Sequence, residues 1–449
     1  MSKTTIFSMI LVAAIGCKSN ESANTEIPEP ATNVDTEQVK PGHKTPDKKP
    51  NNGDTAPGTE AAAEPATPTK PGDPAPLVTA SNALAFDLYK TQRNNEGNLA
   101  FSPVSISLAF AMTYAGATGP TAAEMKTTLH LPDDKLLEGA AAGLLSSWNS
   151  DDKDYELKVV NRLFGDSGYA FETPFLNTTK NTYQAPLERL DFQKGPEAQR
   201  AHINNWVLEQ TADRIADLLP VESVTKDTRL ILVNAIYFLG KWKNAFDKKD
   251  TKTNSFAING SSPADVSMMH QTSKFRFAQV KGATLLQMPY SGGDLAMTIV
   301  LPTKKNGLTK LEEELSTELY QSWMSKMHRQ KVVVSLPSFE IKDATLLLKK
   351  ALRSLGMNLP FTKAADFTKM ANPSSDGEKL YIGDAIHKAF VKVDESGTEA
   401  AAATAVVMMI KGAAAEPPPT FKADHPFLFT IEDTKSGAIL FVGRIVDPR

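Results

Sequence analysis

Few residues in this sequence are arranged for covalent chemistry. A serine stands next to a carboxylate in Gly165-Asp166-Ser167-Gly168. A nucleophilic serine in such a segment would be followed by a further glycine and preceded by matching histidine and aspartate segments, and neither is present. Asp-Ser-Gly between apolar runs is instead typical of a turn. We therefore predict a turn at residues 165–168.

Candidates for metal or cofactor chemistry are equally sparse. The single cysteine, Cys17, excludes a disulfide framework and a zinc site with cysteine ligands. The HExxH and GxSxG motifs and a phosphate-binding glycine loop are absent. Seven histidines show no short metal-ligand spacing: His43, His130, His202, His270, His328, His387 and His425. We expect no metal and no cofactor, and a hydrolytic enzyme is the weakest hypothesis.

The most informative segment runs from Glu395 to Lys411 and is rich in small residues. It reads Glu-Ser-Gly-Thr-Glu-Ala-Ala-Ala-Ala-Thr and continues Ala-Val-Val-Met-Met-Ile-Lys. As a strand it would turn Glu399 and Lys411 to one side. The other side would carry only small or apolar side chains: Thr398, Ala400, Ala402, Thr404, Val406, Met408 and Ile410. Since it contains no proline, every backbone N–H could join a β-ladder, which predicts a loop able to become a central strand.

Helical elements that could support this segment are predicted in the first half of the chain. Ser102-Pro103 predicts a helix start before the apolar run 104–114. Thr121 with Glu124 predicts a capping box for the next helix. Apolar periodicity predicts a further helix over 197–219.

Strands are predicted mainly in the second half. The β-rich runs bounded by turns cover residues 230–238, 284–289, 296–301 and 332–336. Helices mostly precede strands, without regular alternation. We therefore expect one α+β domain with large sheets over residues 79–449.

The N-terminal residues 1–17 are typical of an export signal. Lys3 precedes an apolar run, residues 6–15, that is too short to span a bilayer. Ala14-Ile15-Gly16-Cys17 resembles a bacterial lipoprotein box, in which Cys17 is lipidated and becomes the new N-terminus. An ordinary secretory signal is the alternative. An aspartate after the lipidated cysteine often retains such proteins on the inner membrane, and this chain has Lys18 there instead. This favours an outer-membrane or cell-surface location for the anchored protein, with its folded domain periplasmic or extracellular.

Residues 18–78 differ in composition from the rest of the chain. Eleven of the 29 prolines fall between Lys18 and Pro76, and no aromatic residue does. Such a segment cannot bury enough apolar area to offset the ordering of its backbone, so we predict a disordered tether. Its root-mean-square reach would be about 40 to 45 Å.

The charge balance limits the possible partners. The 449 residues include 49 basic and 52 acidic side chains, which gives a net charge of −3. Because no long basic stripe is present, we do not expect nucleic acid to be a partner.

Several blocks of the chain resemble serpins, the large family of serine protease inhibitors. Residues 395–404 match the hinge of the family's reactive centre loop, 421–431 match its C-terminal signature and 436–448 its closing strands. Further blocks agree in order, at residues 98–110, 161–165, 228–246 and 335–357. The resemblance covers essentially all of residues 79–449.

This resemblance implies a fold and a mechanism. The fold would have three β-sheets, eight or nine helices and an exposed reactive centre loop at about 395–420, held outside a five-stranded sheet. A target serine protease would attack the loop and form an acyl-enzyme. The cleaved hinge would then insert as a new central strand, drag the protease across the molecule and distort its catalytic site. We expect a monomeric inhibitor and not an enzyme.

The resemblance also implies roles for individual residues. The hinge comprises Glu395, Gly397, Thr398, Glu399, Ala400, Ala401, Ala402, Ala403 and Thr404. Four residues match the polar shutter beneath the central strands, namely Ser102, Ser105, Asn234 and His387. Trp242 and Glu395 match the breach, where insertion begins.

The scissile bond is placed by counting along the loop as in inhibitory serpins, with Gly397 as the hinge glycine. The count reaches Lys411-Gly412, and lysine before the cut suits a trypsin-like pocket. A shift of one residue would expose Ile410 or Gly412 and favour elastase-like or other proteases.

A non-inhibitory serpin that acts as a binding or structural protein is the alternative. Bulky, charged or proline residues at the inward-facing hinge positions would favour it, and none are present.

Overall fold

A computed structural model describes residues 68–149, 155–372, 379–398 and 416–449 of the chain. Cys17 and most of the predicted tether lie outside the described residues. So do hinge residues 399–404 and the predicted scissile bond Lys411-Gly412. What was inferred for them stays a prediction.

Helices dominate the first half of the domain. The described residues contain nine α-helices: α1 (Ala75–Gln92), α2 (Pro103–Ala115), α3 (Gly119–Thr128), α4 (Asp134–Trp148), α5 (Thr173–Thr182), α6 (Pro196–Gln210), α7 (Leu308–Glu314), α8 (Thr317–Lys326) and α9 (Leu348–Ser354).

Strands dominate the second half. The described residues contain fifteen: β1 (Leu99–Phe101), β2 (Tyr155–Asp166), β3 (Leu187–Leu190), β4 (Leu230–Lys241), β5 (Lys252–Ile258), β6 (Ser262–Val280), β7 (Ala283–Pro289), β8 (Leu295–Pro302), β9 (His328–Pro337), β10 (Phe339–Leu347), β11 (Ile386–Val393), β12 (Gly397–Thr398), β13 (Thr420–Lys422), β14 (Phe427–Asp433) and β15 (Ile439–Ile445). All four predicted strands are present, each within a longer strand.

The strands form three hydrogen-bonded sheets in the described part of the chain. The largest has the order β1-β15-β14-β8-β7-β6-β9-β13, with β5 paired to β6. The second has the order β12-β4-β2-β3, and the third contains β10 and β11. The α+β class with three sheets and nine helices agrees with the fold that the resemblance implied.

Among the described residues, the strands on either side of the hinge belong to two separate sheets. In the described residues, β4, β2 and β3 are hydrogen-bonded together, whereas β10 and β11 pair only with each other. The short β12 takes the edge of β4 that faces away from β2. The start of the hinge therefore lies beside β4, where an additional strand would begin.

Helix α2 forms as predicted and lies at the centre of the core. The Ser102 hydroxyl oxygen accepts a hydrogen bond from the Ser105 amide at 3.3 Å, which satisfies one free N–H of the first turn. Pro103 occupies the first helical position, where a missing N–H costs nothing. Val104, Leu108 and the other apolar residues of this helix are almost all buried, as expected for a helix that is apolar all round.

The predicted capping box at Thr121 and Glu124 is wrong. Helix α3 begins at Gly119, with Thr118 as the N-cap and a proline in the first turn. Both side chains accept hydrogen bonds from distant backbone amides instead: the Thr121 hydroxyl accepts from the Asp366 amide at 2.9 Å, and Glu124 Oε2 accepts from the Asn358 amide at 2.8 Å. The spacing of the two residues therefore did not predict which backbone amides they bind.

Helix α6 ends at Gln210, nine residues before the predicted end. Ala212 and Asp213 have φ values of +48° and +61°, which take the chain out of the helix. Ile215 and Leu218 are buried in the same small cluster as the helix residues. Their burial explains why the apolar periodicity continued beyond the helix.

The predicted start of the domain at residue 79 lies inside α1. This helix begins at Ala75, and Leu77 and Val78 are already buried. Pro74 is the N-cap and Pro76 lies in the first turn, where proline is tolerated, so proline content does not mark the helix start. Among the described residues, no helix has the length and apolar composition needed to cross a membrane.

The turn predicted at residues 165–168 closes the end of β2. Asp166 Oδ1 accepts a hydrogen bond from the Gly168 amide at 3.0 Å. The Ser167 amide donates to the Leu190 carbonyl at 2.8 Å. This geometry serves the turn and its link to β3.

Candidate functional site

The hinge begins with a tight reversal of the chain after β11. Asp394 Oδ1 accepts hydrogen bonds from the amides of Ser396 at 2.8 Å and Gly397 at 3.3 Å. The Asp394 amide also donates to the Gly397 carbonyl at 2.9 Å. Asp394 was not among the predicted site residues, although an aspartate three residues before a glycine is typical of a turn. This reversal turns the hinge towards the edge of β4.

Gly397 fits this position because it has no side chain. Its φ is +147°, and a Cβ would lie 2.1 Å from the Gly240 carbonyl oxygen of β4. Gly397 pairs with Lys241 and Thr398 with Gly240 in an antiparallel register. Only glycine allows the two backbones to approach this closely.

Thr398 is the last described residue of the hinge, and its side chain is 2% exposed. Its hydroxyl shares a hydrogen bond of 2.9 Å with the Tyr290 hydroxyl. The Tyr290 ring stacks on Trp242 with ring centres 4.5 Å apart, and it meets Phe238 edge-on at 4.8 Å. Thr398 therefore points into the core, on the face that the alternating pattern predicted for insertion.

The two predicted breach residues are Trp242, which contacts the hinge region, and Glu395, which belongs to it. The Trp242 amide donates to the Ser396 carbonyl at 2.8 Å, and its indole N–H donates to the Asp394 carbonyl at 3.0 Å. The Glu395 carboxylate accepts from the Thr251 hydroxyl at 2.7 Å. These bonds fix the point at which the chain enters the space beside β4.

The four predicted shutter residues also lie together. The Ser102 amide donates to Nε2 of His387 at 3.0 Å, and the Ser105 hydroxyl donates to Oδ1 of Asn234. All four are buried. They belong to three separate elements, since the serines lie at α2, Asn234 on β4 and His387 on β11.

Asn161 on β2 extends this group and was missed by the sequence analysis. It lies directly opposite Asn234 in the ladder, and Asn234 Nδ2 donates to Asn161 Oδ1 at 2.7 Å. Asn161 Nδ2 donates in turn to the Tyr183 carbonyl at 3.3 Å. A polar residue on a strand face that otherwise carries Leu157, Val159 and Leu163 was the available signal. We call the residues from His387 through Ser102, Ser105, Asn234 and Asn161 to the Tyr183 carbonyl the polar chain.

The polar chain joins the two sheets between which the hinge begins. His387 lies on β11, whereas Asn234 and Asn161 lie on β4 and β2, and the α2 serines connect them. A cavity of about 500 Å³ adjoins this region, with a lining that includes Ile106, Leu232, Asn234 and His387. Buried polar groups need hydrogen-bond partners, so these partners must be kept or exchanged when the sheets separate.

Burial lowers the pKa of His387 from 6.5 to about 4. The folded protein therefore keeps this ring neutral at pH values where the unfolded chain protonates it. Protonation of this histidine in the unfolded chain should therefore lower the free energy of unfolding by about 3 kcal/mol between about pH 6.5 and about pH 4. We expect the free energy of unfolding in urea to fall more steeply for the wild type than for His387→Gln, whose amide oxygen can still accept from Ser102. Parallel curves for both proteins would contradict this assignment.

Metal binding has no candidate in this part of the protein. Within the described ranges, no group of three or more His, Cys, Asp or Glu side chains could hold a metal ion. The arrangement at the hinge consists of backbone edges, small side chains and buried hydrogen bonds. It is suited to accepting a strand.

Known proteins share this architecture and sequence. The serpin family profile, described as serine protease inhibitor, matches residues 79–448. Human serpin B3 is 38% identical over 83% of this chain and 99% of its own length. The leukocyte elastase inhibitor of Bos taurus is 39% identical, again over 83% and 99%. The crystal structure of uncleaved ovalbumin matches with a TM-score of 0.73 and 28% identity, over 83% of this chain and all of that one. The chain therefore belongs to the serpin family of serine protease inhibitors.

Proposed function

We propose that this protein inhibits trypsin-like serine proteases by covalent trapping. The protease would cut between Lys411 and Gly412 and remain attached to Lys411 as an acyl-enzyme. The hinge would then insert fully between β4 and β11. The observation that carries this proposal is the pairing of Gly397 and Thr398 with β4, while β11 belongs to another sheet among the described residues.

The observed register supports a continuous insertion. Each step of two residues along the hinge moves two residues back along β4, so the pair Thr398–Gly240 leads to Thr404 opposite Asn234. The same register brings Val406 opposite Leu232, a residue that lines the cavity. The inserted strand would thus place a hydroxyl at the polar chain and an apolar side chain at the cavity. The polarity of each of these two side chains would match that of its surroundings, and neither would bury a charge.

The energy available from insertion is sufficient for a one-way rearrangement. About a dozen inserted residues, each adding a ladder hydrogen bond of roughly 0.5 to 1.5 kcal/mol, would contribute on the order of 10 kcal/mol. This is comparable with the stability of a whole domain. Small side chains matter because bulky or charged ones would slow insertion relative to hydrolysis of the acyl-enzyme.

The proposal is tested by mixing the protein with trypsin and with elastase, followed by denaturing gel electrophoresis and mass spectrometry. We expect a denaturant-resistant complex with trypsin, near the summed mass, and a released fragment that begins at Gly412. A complex with elastase and a cut after Ile410 would instead support the shifted loop register.

Cleavage without any complex would contradict inhibition by trapping. Heating the cleaved protein would then show whether the loop still inserts. A large gain in thermal midpoint is expected for an inserted strand, and its absence would favour a non-inhibitory binding or structural role.

The proposed location follows from the N-terminal residues. Export, lipidation of Cys17 and attachment to the outer membrane or cell surface would hold a monomeric inhibitor domain on its tether. Mass spectrometry of the mature N-terminus tests this, because a lipid-modified Cys17 is expected there and an unmodified terminus at another residue would exclude it.

A further inference from the structure

A short proline-rich segment packs against the domain before helix α1. Residues 68–74 read Pro-Thr-Lys-Pro-Gly-Asp-Pro, and we call them the strap. The Gly72 amide donates to the Gly139 carbonyl on α4 at 2.8 Å. The Thr69 hydroxyl shares a hydrogen bond of 2.6 Å with the Thr182 hydroxyl at the end of α5. The strap therefore joins α4 to α5.

Two glycines on α4 make room for the strap. Gly139 and Gly143 are four residues apart, so they lie on one face of the helix. A Cβ on Gly143 would lie 2.1 Å from the Gly72 carbonyl oxygen, which cannot be accommodated without moving the backbone. A Cβ on Gly139 would meet its nearest strap atom at 3.6 Å, an ordinary contact. Seating of the strap thus depends on glycine at position 143 but not at position 139.

The composition of the strap favours this docked conformation. Pro68, Pro71 and Pro74 fix φ and reduce the conformational entropy that is lost when the segment is ordered. Asp73 Oδ1 accepts from the Ala75 amide at 2.9 Å, which connects the strap directly to the start of α1.

The strap connects two helices that flank the β2–β4 sheet to helix α1. Helix α4 precedes β2 and helix α5 follows it, so both are tied to the sheet that contains β4. Helix α1, which continues from the strap, packs most extensively against α2 and also against α4 and β15. Displacement of the β2–β4 sheet from α2 would therefore strain the strap contacts.

The strap also lies next to the polar chain. Thr182, its partner on α5, immediately precedes Tyr183, whose carbonyl accepts from Asn161. From Asn161 the hydrogen bonds continue through Asn234 and Ser105 towards α2 and His387. One contact of the strap is thus a single residue away from the network that bridges the two sheets.

The strap lies outside the part of the chain matched by the serpin profile, which begins at residue 79. Human serpin B3 is covered over 99% of its length by a match to only 83% of this chain. The strap is therefore an addition to the domain shared with these relatives.

We propose that the strap holds the β2–β4 sheet against α2 and thereby slows spontaneous insertion of the uncleaved loop, which preserves the inhibitory state. This role rests on the proposed function, since it regulates the same insertion. A contact can shift a conformational equilibrium only if it differs between the two states. The strap must therefore stabilise the uncleaved form more than the loop-inserted form.

The test compares Gly143→Ala with its matched control Gly139→Ala in the full chain. Alanine favours the helix over glycine at both positions, but only Gly143→Ala displaces the strap. Each protein is incubated at 37 °C, and its remaining capacity to form the trypsin complex is followed with time. We expect Gly143→Ala to lose this capacity at least about fivefold faster than Gly139→Ala, because Gly143→Ala breaks the hydrogen bonds of the strap. Equal rates would overturn the proposal.

Thermal midpoints provide a readout that needs no trapping. We expect Gly143→Ala to lower the midpoint of the uncleaved protein but not that of the loop-cleaved protein, and Thr69→Val to do the same to a smaller extent. Equal losses in both forms would show that the strap is only a packing element. If the wild type forms no complex with trypsin, the proposed function fails, while these midpoints still decide the role of the strap.

Discussion

Replacing Thr398 with arginine should leave the loop cleavable by trypsin but abolish the covalent complex. Thr398 is 2% exposed, and its hydroxyl is hydrogen-bonded to Tyr290 beside the Trp242 ring. In the uncleaved variant the arginine would keep residue 398 out of this site, so insertion would have to bury the guanidinium here without a paired carboxylate, at a cost of about 3 to 5 kcal/mol. If about 3 kcal/mol of this cost raises the barrier to insertion, the ratio of trapping to hydrolysis falls more than about a hundredfold. Gel analysis should show cleaved inhibitor and free, active trypsin.

Thr398→Ser is the matched control for this experiment. Serine keeps a hydroxyl for Tyr290 and a small side chain, so we expect a complex yield close to that of the wild type. Undiminished trapping by Thr398→Arg would show that the hinge does not insert past this position, and the insertion mechanism would have to be abandoned.

The second large effect is expected for Lys411→Ala, which should lose trypsin inhibition selectively. Lys411 lies outside the described residues, so this prediction rests on the count from Gly397 and on the charge of the side chain. A trypsin-like pocket places a carboxylate where the lysine ammonium binds, and removal of the ammonium leaves that carboxylate unpaired. We expect the second-order rate constant for trypsin inhibition to fall at least about a hundredfold.

Two variants separate loss of recognition from loss of trapping. Lys411→Arg keeps a positive charge and should retain inhibition of trypsin. Met409→Ala changes a neighbouring loop residue and should have little effect on it. Equal trypsin inhibition by Lys411→Ala and the wild type would move the scissile bond to another residue, and the new N-terminus of the released fragment would identify it.

The local chemistry of the hinge was readable from the sequence. Small side chains at alternate positions and the absence of proline are intrinsic properties of residues 395–411, and they predict a segment able to form a strand. The helix start at Ser102-Pro103 and the four predicted strands follow from caps and periodicity in the same way. These features depend on neighbouring residues along the chain, so no tertiary contact is needed to recognise them.

Predictions failed where a local pattern served a distant partner. Thr121 and Glu124 have the spacing of a capping box, but they accept hydrogen bonds from amides 245 and 234 residues away. The apolar periodicity after Gln210 continues because Ile215 and Leu218 bury their side chains beside α6, although the backbone has left the helix. In both cases the residue types predicted the kind of interaction correctly, but neighbouring residues in the sequence did not indicate the partner.

The composition, the small and proline-free hinge and the family blocks were determined by the sequence alone, because each is a property of a residue or of its close neighbours. Only the tertiary structure decided that Gly397 and Thr398 lie at the edge of β4 and that Thr398 is hydrogen-bonded to Tyr290, which lies 108 residues earlier in the chain. It also decided that Asn161 joins Asn234 and that the strap is seated on Gly143. These contacts depend on strand register and on the packing of helices against sheets, which bring distant residues within hydrogen-bond distance only after the whole chain has folded.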